Sequence, residues 1–213
     1  MKIEIWSDFF CPFCFIGTRR LENALDNFSH RDKVTIKFKS FQLDPHAPLY
    51  DGKTYYEDLA EKFGSIERAK QICTHIEKLG EEVGLSFNFE TVKPTNTLLA
   101  HRLIKFAEEY NKGIDLYYRL FQSLFADGEN ISDNHVLLQV ANDVGLNEKE
   151  VFHFLNDKTT YVKEVKKDLS LARKLNIAGV PYFVFDQRYT IAGAQETKVF
   201  EEALQHVLLG HTS

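Results

Sequence analysis

Cys11-Pro12-Phe13-Cys14 follows closely on the alternating run Lys2-Ile3-Glu4-Ile5-Trp6. A strand that runs into a C-x-x-C pair and continues as a helix is the pattern of a dithiol redox site. The reason is local. With Cys11 as N-cap, Pro12 falls at the first helical position, where its fixed φ fits and its missing N–H is no loss. The Cys11 sulfur then faces unpaired backbone N–H groups and the positive end of the helix dipole, which favour thiolate over thiol. Cys14 lies one turn further in, placed to close a disulfide with Cys11 and to be the less reactive of the two. The stretch supplies an attacking thiolate and a resolving partner.

Zinc is the other common use of a C-x-x-C pair, but it wants four ligands. The chain has three cysteines, and the third, Cys73, has His75 two positions away. In a helix those two side chains point apart. Two thiols packed by chance as small hydrophobes would not explain the strand before them or the proline between them.

The rest of the composition narrows the setting. The 213 residues carry 26 Lys and Arg against 31 Asp and Glu, a net charge of −5. That balance offers nothing to nucleic acid or to an anionic membrane surface. With 44% hydrophobic and 27% charged residues, the chain has the make-up of an ordinary globular protein. Eighteen Phe against one Met point to a rigid, aromatic core. The first residues enter a strand with an acid at position 4 and no apolar h-region, so no signal peptide is expected. No window approaches the roughly 18 apolar residues of a membrane span. A cytoplasmic location follows as an expectation, and there a cysteine pair is more often catalytic than architectural.

Outward from the cysteines, a helix is predicted from Pro12 to about Phe28, with Gly17, Leu21, Ala24, Leu25 and Phe28 on its buried stripe. Val34 to Phe41 alternates again and reads as a second strand, parallel to the first because a helix joins them. Pro45 and Pro48 then turn the chain out of the sheet. Amphipathic helices follow, marked by the stripe Ala69, Ile72, Cys73, Ile76, Leu79 and Val83, then by Leu99, Leu103, Phe106 and Tyr110. Leu116, Leu120, Phe121 and Leu124 mark another, and Val136, Val140, Ala141 and Val144 the next. Asn147 and Glu150 are spaced as a capping box, and a last helix spans about 160–175. Lys163-Glu164-Val165-Lys166-Lys167 reads as its wet face. Val180 to Phe185 is a strand, Asp186-Gln187-Arg188 a tight turn, and Tyr189 to Ala192 an antiparallel partner. A closing helix carries Phe200, Ala203, Leu204 and Val207 inward. The order βαβ, helices, ββα gives an α/β chain of thioredoxin-like fold. The sheet domain is expected from residues 1–45 and 176–213, with an all-helical insert over 46–175.

Four stretches carry a family resemblance. They are Ser7-Asp8-Phe9-Phe10-Cys11-Pro12-Phe13-Cys14-Phe15-Ile16-Gly17, then Asn96-Thr97 with Ala100-His101-Arg102-Leu103, then Gly179-Val180-Pro181, then Gly193-Ala194-Gln195. Spread in order over nearly the whole chain, they resemble the DsbA-like thioredoxin family and, within it, the FrnE-type cytoplasmic branch. The resemblance implies a thiol–disulfide oxidoreductase with Cys11 as nucleophile and Cys14 as resolving cysteine. It implies a cis Val180–Pro181 bond, with Pro181 packed against the disulfide and the Val180 backbone pairing with a bound substrate strand. It implies a helical insert that roofs the site. Protein or small-molecule thiols and disulfides would be the partners, with no bound cofactor and glutathione as a candidate redox partner. The alternative within the superfamily is a glutathione-dependent isomerase or transferase, similar to the 2-hydroxychromene-2-carboxylate isomerases and kappa-class transferases. Those carry Ser at the position of Cys11 and an acidic motif in place of Gly193-Ala194-Gln195.

One departure from the family pattern stands out. Many relatives bury an acid in the strand beneath the cysteines, to handle the resolving thiol's proton. The matching position here is Ile5. Glu4 points to the opposite face, and Asp8 is expected nearer the surface, reaching Cys14 through a water.

The remaining candidates have two readings each. Pro12 and Phe13 sit between the cysteines, and Phe13 has little room to be buried, so both are placed to touch substrate. His101 lies off the stripe of its helix and either lines the cleft or makes a structural hydrogen bond. Asn96 either caps its helix or binds substrate. Cys73, on an apolar stripe, is expected to be an inert core thiol.

Overall fold

The structure of the protein, a computed structural model, describes residues 1–210. Four strands form one sheet in the order β2-β1-β3-β4. β1 (Lys2–Ser7) runs parallel to β2 (Thr35–Ser40), with Ile3 opposite Ile36 and Ile5 opposite Phe38. The helix between them, α1 (Pro12–Asp26), is what allows parallel pairing, since a parallel partner needs a crossover. β3 (Tyr182–Phe185) lies antiparallel to β1, and β4 (Tyr189–Ala192) antiparallel to β3. The turn joining β3 and β4 holds Asp186 and Gln187 at positive φ, the backbone of a tight hairpin turn that matches strand twist.

Seven helices separate β2 from β3. They are α2 (Tyr55–Phe63), α3 (Ile66–Glu81), α4 (Leu98–Glu109), α5 (Gly113–Phe125), α6 (Asn134–Asp143), α7 (Glu148–Asn156) and α8 (Val162–Lys174). α9 (Thr197–Leu209) returns to pack on α1. Residues 211–213 of the expected closing segment lie outside the described residues.

α2 is the element that the apolar periodicity did not announce. Its buried stripe is only Tyr55 and Leu59, too short to register as a pattern. What defines it is capping. Thr54 and Glu57 form a reciprocal capping box, and Gly64 closes the helix in the left-handed conformation. At α7, where a box was expected, Asn147 accepts from the Lys149 and Glu150 N–H groups as a simple N-cap.

One apolar cluster runs without a break from Ile3, Ile5 and Ile16 of the sheet side to Phe121, Phe125 and Val151 of the helices. Its centre is aromatic. The Phe9 ring lies 5.0 Å from that of His101, 5.7 Å from Tyr117 and 5.1 Å from Phe121. A smaller cluster of Trp6, Ala172, Ile177 and Val184 fills the other face of the sheet, where α8 packs. Between α8, α4 and the sheet lies a charged knot. Asp168 is 5% exposed, and its carboxylate takes Lys105 at 2.7 Å, Lys39 at 3.1 Å and the Ser40 N–H at 3.1 Å. Lys39 also reaches Glu4 at 3.5 Å, so Glu4 does lie on the face away from Ile5. Among the described residues no helix is long and apolar enough to cross a membrane.

Candidate active site

The end of β1 sets the site. After Ser7 the chain makes one turn, closed by the Cys11 N–H donating to the Asp8 carbonyl at 3.1 Å, and enters α1. Cys11 is the N-cap in extended conformation and Pro12 opens the helix, as the sequence requires. No side chain caps this helix end; the Cys14 N–H turns back to the Cys11 carbonyl at 2.9 Å, and the positive end of the helix faces Cys11. Cys11 keeps 6% of its surface exposed and Cys14 none. Both are free thiols.

Pro181 meets the cysteine helix from the far end of the chain. The Val180–Pro181 peptide bond is cis, and the Cys11 thiol lies 3.5 Å from the Val180 carbonyl oxygen. The close approach depends on Gly17. A Cβ at that position would meet the Pro181 ring at 3.0 Å and Ala194 at 3.2 Å. Arg20, one turn on, donates to the Ala194 carbonyl at 2.9 Å, tying the Gly193-Ala194-Gln195 loop to the same helix.

Burial pushes the Cys14 thiol well above its ordinary pKa, and its hydrogen bond and charge interaction with Cys11 push it further. The Ser7 hydroxyl and the Asp8 N–H act in the opposite direction. Ser7 belongs to a buried hydroxyl chain: its Oγ lies 2.8 Å from the Tyr117 hydroxyl, which lies 3.0 Å from Thr18 Oγ1. The Tyr117 hydroxyl also lies 3.4 Å from the Cys14 carbonyl oxygen, a second acceptor for its one proton. Neither Ser7 nor Tyr117 was singled out from the sequence. The signal was there for Ser7, which continues the alternation of Ile3 and Ile5 and so lands a hydroxyl on the buried face.

Asp8 corrects the sequence expectation. It is 2% exposed, not near the surface. The loop after β2 folds over it, so its carboxyl accepts from the Leu43 N–H at 2.7 Å and the Phe10 N–H at 3.4 Å. His101, also buried, places Nε2 3.4 Å from Asp8 Oδ1. Asn96 donates to the Pro45 and Ala47 carbonyls and accepts from the Leu98 N–H at the start of α4. Its polar atoms hold the loop after β2 against α4. Phe9 and Phe15 are core residues, Phe10 packs edge-on against Tyr55, and Phe13 stands 36% exposed beside the cysteines. Cys73 is buried away in α3, its thiol pushed up to about 12 by burial and by Glu77 and Glu90.

A cavity of about 390 Å³ opens beside this site, lined by Asp8, Phe10, Leu43, Lys62, Thr95 and Thr97 among others. The arrangement has the parts of a thiol-exchange site: one thiol at a helix N-terminus, a second buried behind it, and a backbone carbonyl 3.5 Å from the first.

Comparison with known proteins places the geometry. The model of the DSBA-like thioredoxin domain matches residues 2–205. The YwbO protein of Bacillus subtilis (strain 168) is 31% identical over 209 residues, covering 96% of each chain. The crystal structure of a probable DsbA oxidoreductase, SCO1869 from Streptomyces coelicolor, superposes with a TM-score of 0.92 at 35% identity, over 97% of this chain and 89% of that one. The cytosolic disulfide reductase DsbM from Pseudomonas aeruginosa, solved with GSH, shares the fold at 15% identity and a TM-score of 0.67, over 98% of this chain and 99% of that one.

Proposed function

The chain belongs to the DSBA-like thioredoxin family, and from that premise we propose that it is a thiol–disulfide oxidoreductase working through its Cys11-Pro12-Phe13-Cys14 pair. The observation that carries the proposal is the asymmetry of the two thiols. Cys11 sits at an uncapped helix N-terminus against the Val180 carbonyl, and Cys14 is sealed behind it with its thiol held protonated by burial. An attacking group has to meet substrate, and a resolving group has to wait.

In the reducing direction the Cys11 thiolate attacks one sulfur of a substrate disulfide. A Cys11–substrate disulfide forms, and the other substrate sulfur leaves as a thiolate and takes a proton from water. Cys14 then gives up its proton and attacks the Cys11 sulfur. The Cys11–Cys14 bond forms, and the second substrate sulfur leaves and is protonated. The substrate has gained two electrons and two protons; the enzyme has lost the two electrons and the Cys14 proton, and the other proton has come from water. The reverse sequence oxidises a dithiol. Two molecules of a small thiol would reset the oxidised pair, and glutathione is the one we propose, in a cytoplasmic setting. The pair of cysteines also favours redox exchange over a glutathione-dependent isomerase, which would have no use for a buried second thiol.

The test is disulfide exchange with insulin and with a small aromatic disulfide. The wild-type protein should turn over both, and Cys11→Ser should lose at least about 100-fold. Cys14→Ser should complete the first step and accumulate mixed disulfide. Iodoacetamide should label Cys11 first, with Cys14 and Cys73 protected until the protein unfolds. A wild-type protein inert toward both disulfides would rule the proposal out. The reduction potential gives the direction: near −270 mV the pair resembles a reductase, near −120 mV a strong oxidant.

A further inference from the structure

α8 presents a second surface that the exchange chemistry does not use. Val162, Val165, Lys166, Leu169 and Arg173 fall at helical spacing on one stripe of α8. With Phe41 and Leu98 they line a groove of about 600 Å³. Its floor is apolar. Lys166 and Arg173 stand exposed on it, and no carboxylate lines it. Among the described residues neither cation is within salt-bridge distance of an acid, and Arg173 bonds only to the Leu169 carbonyl of its own helix. On a chain of net charge −5, an apolar groove rimmed by unpaired cations is a local inversion of charge.

Phe41, which lines the groove, and Val180 stand at the same end of the sheet: Phe41 directly follows Ser40, the β2 partner of Ser7, and Val180 lies two residues before Tyr182, the β3 partner of Trp6. Both pack on the cluster of Trp6, Ala172, Ile177 and Val184. Val180 is the residue whose carbonyl lies 3.5 Å from the Cys11 sulfur. Phe41 and Val180 flank the end of β1, two strand spacings or roughly 10 Å apart, a span that three or four extended residues cover.

We propose that the groove between Phe41, Leu98 and α8 docks the segment of a protein substrate that flanks its reactive cysteine, and that it selects aliphatic segments carrying Asp or Glu. Apolar side chains of the segment would cover Phe41, Val162 and Leu169, and its carboxylates would pair with Lys166 and Arg173. This rests on the exchange reaction proposed above, since it takes the groove to serve a substrate of that site. It goes further, in naming which polypeptides the enzyme prefers.

Binding without chemistry tests it. The probes are two fluorescein-labelled peptides with Ser in place of the reactive Cys, flanked by alternating Leu and Glu in one and by Leu and Lys in the other. Fluorescence anisotropy at low salt should show the acidic peptide binding about tenfold tighter, the worth of two exposed charge pairs. Lys166→Glu with Arg173→Glu should invert the preference, with circular dichroism confirming the fold. On the wild-type protein alone, the affinity for the acidic peptide should fall as salt is raised. Equal affinity for the two peptides, or an acidic-peptide affinity that ignores both salt and charge reversal, would overturn the proposal. Because these peptides cannot exchange, their binding is read separately from turnover of the small disulfide, whose absence would strike the redox reading instead.

Discussion

In the proposed exchange, Cys14 must act as a thiolate in an environment that opposes one. Burial and Cys11 both raise its pKa, and the buried Ile5 stands where an ionisable residue would help. The groups that favour the thiolate are the Ser7 hydroxyl and the Asp8 N–H. Tyr117 has one proton for two acceptors, Ser7 Oγ and the Cys14 carbonyl; when it goes to Ser7 Oγ, the Ser7 proton is left to point at the Cys14 sulfur. Ser7 thus does part of the work of a carboxyl group by holding the thiolate once formed, without accepting its proton. Ser7→Ala should push the Cys14 pKa further up, leaving less thiolate at any given pH and slowing resolution by about tenfold at neutral pH, roughly the worth of one hydrogen bond to a charged group. The measurement is the decay of a preformed Cys11 mixed disulfide across a pH series. The profile should shift to higher pH in the variant, while the initial attack by Cys11 keeps its rate. An unshifted profile would remove Ser7 from the mechanism.

At the scale of the elements, the site is a meeting of three chain segments on α1, and Gly17 is where they touch. Any Cβ there meets the Pro181 ring and the Ala194 backbone within 3.2 Å. Gly17→Ala gains helix propensity of roughly 0.8–1.0 kcal/mol, but the backbone of Ala194 cannot yield as a side-chain tip could, and overpacking of this kind costs about 1–3 kcal/mol. We expect a net loss of stability in urea unfolding and at least a tenfold loss of exchange with insulin, as the Val180–Pro181 segment moves off Cys11. A variant as stable and active as the parent would mean that the loop is free to shift without consequence. Gly17 was legible in the sequence as a member of a buried stripe, but its partners were not, because Pro181 and Ala194 lie far along the chain. The same division holds elsewhere. The cysteine helix, the hairpin and most helices of the insert follow from local rules: capping, alternation and period. α2 escaped because Thr54, Glu57 and Gly64 define it by its ends, and its apolar face is two residues wide. Asp8 was misplaced because its burial is caused by the Leu43 N–H and His101, contacts across 35 and 93 positions of sequence.

Apolar contact joins the helical segment to the sheet through the main core cluster, and Asp168 adds a buried charged tie on the other face. That carboxylate joins α8 to α4 through Lys105 and to β2 through Lys39 and the Ser40 N–H, while its own backbone carbonyl takes the Trp6 indole N–H at 3.4 Å. It therefore fastens the helical segment to the sheet on the face opposite the aromatic core. In the sequence Asp168 directly follows the run Lys163 to Lys167, which reads as the wet face of its helix, and nothing local sets it apart. Only the packing of α8 against Lys39 and Lys105 reveals it as an internal tie. Burial alone would raise its pKa, but Lys105, Lys39 and the Ser40 N–H outweigh burial and hold it below the usual carboxylate range. A group whose folded pKa is depressed contributes stability above its unfolded value, near 3.9, and loses that contribution as pH falls toward the folded value. Asp168→Asn leaves two buried ammonium groups without their main partner, so it should cost about 3 kcal/mol at pH 7, at the lower end for breaking a buried pair because Glu4 still faces Lys39. The check is urea unfolding of both proteins from pH 7 down to pH 3. The gap should be constant to about pH 5 and narrow below about pH 4, as protonation gives the parent the same defect. A gap under 1 kcal/mol, or one that does not narrow in acid, would show that the helices stay on the sheet by apolar packing alone and that the Asp168 knot is a passenger.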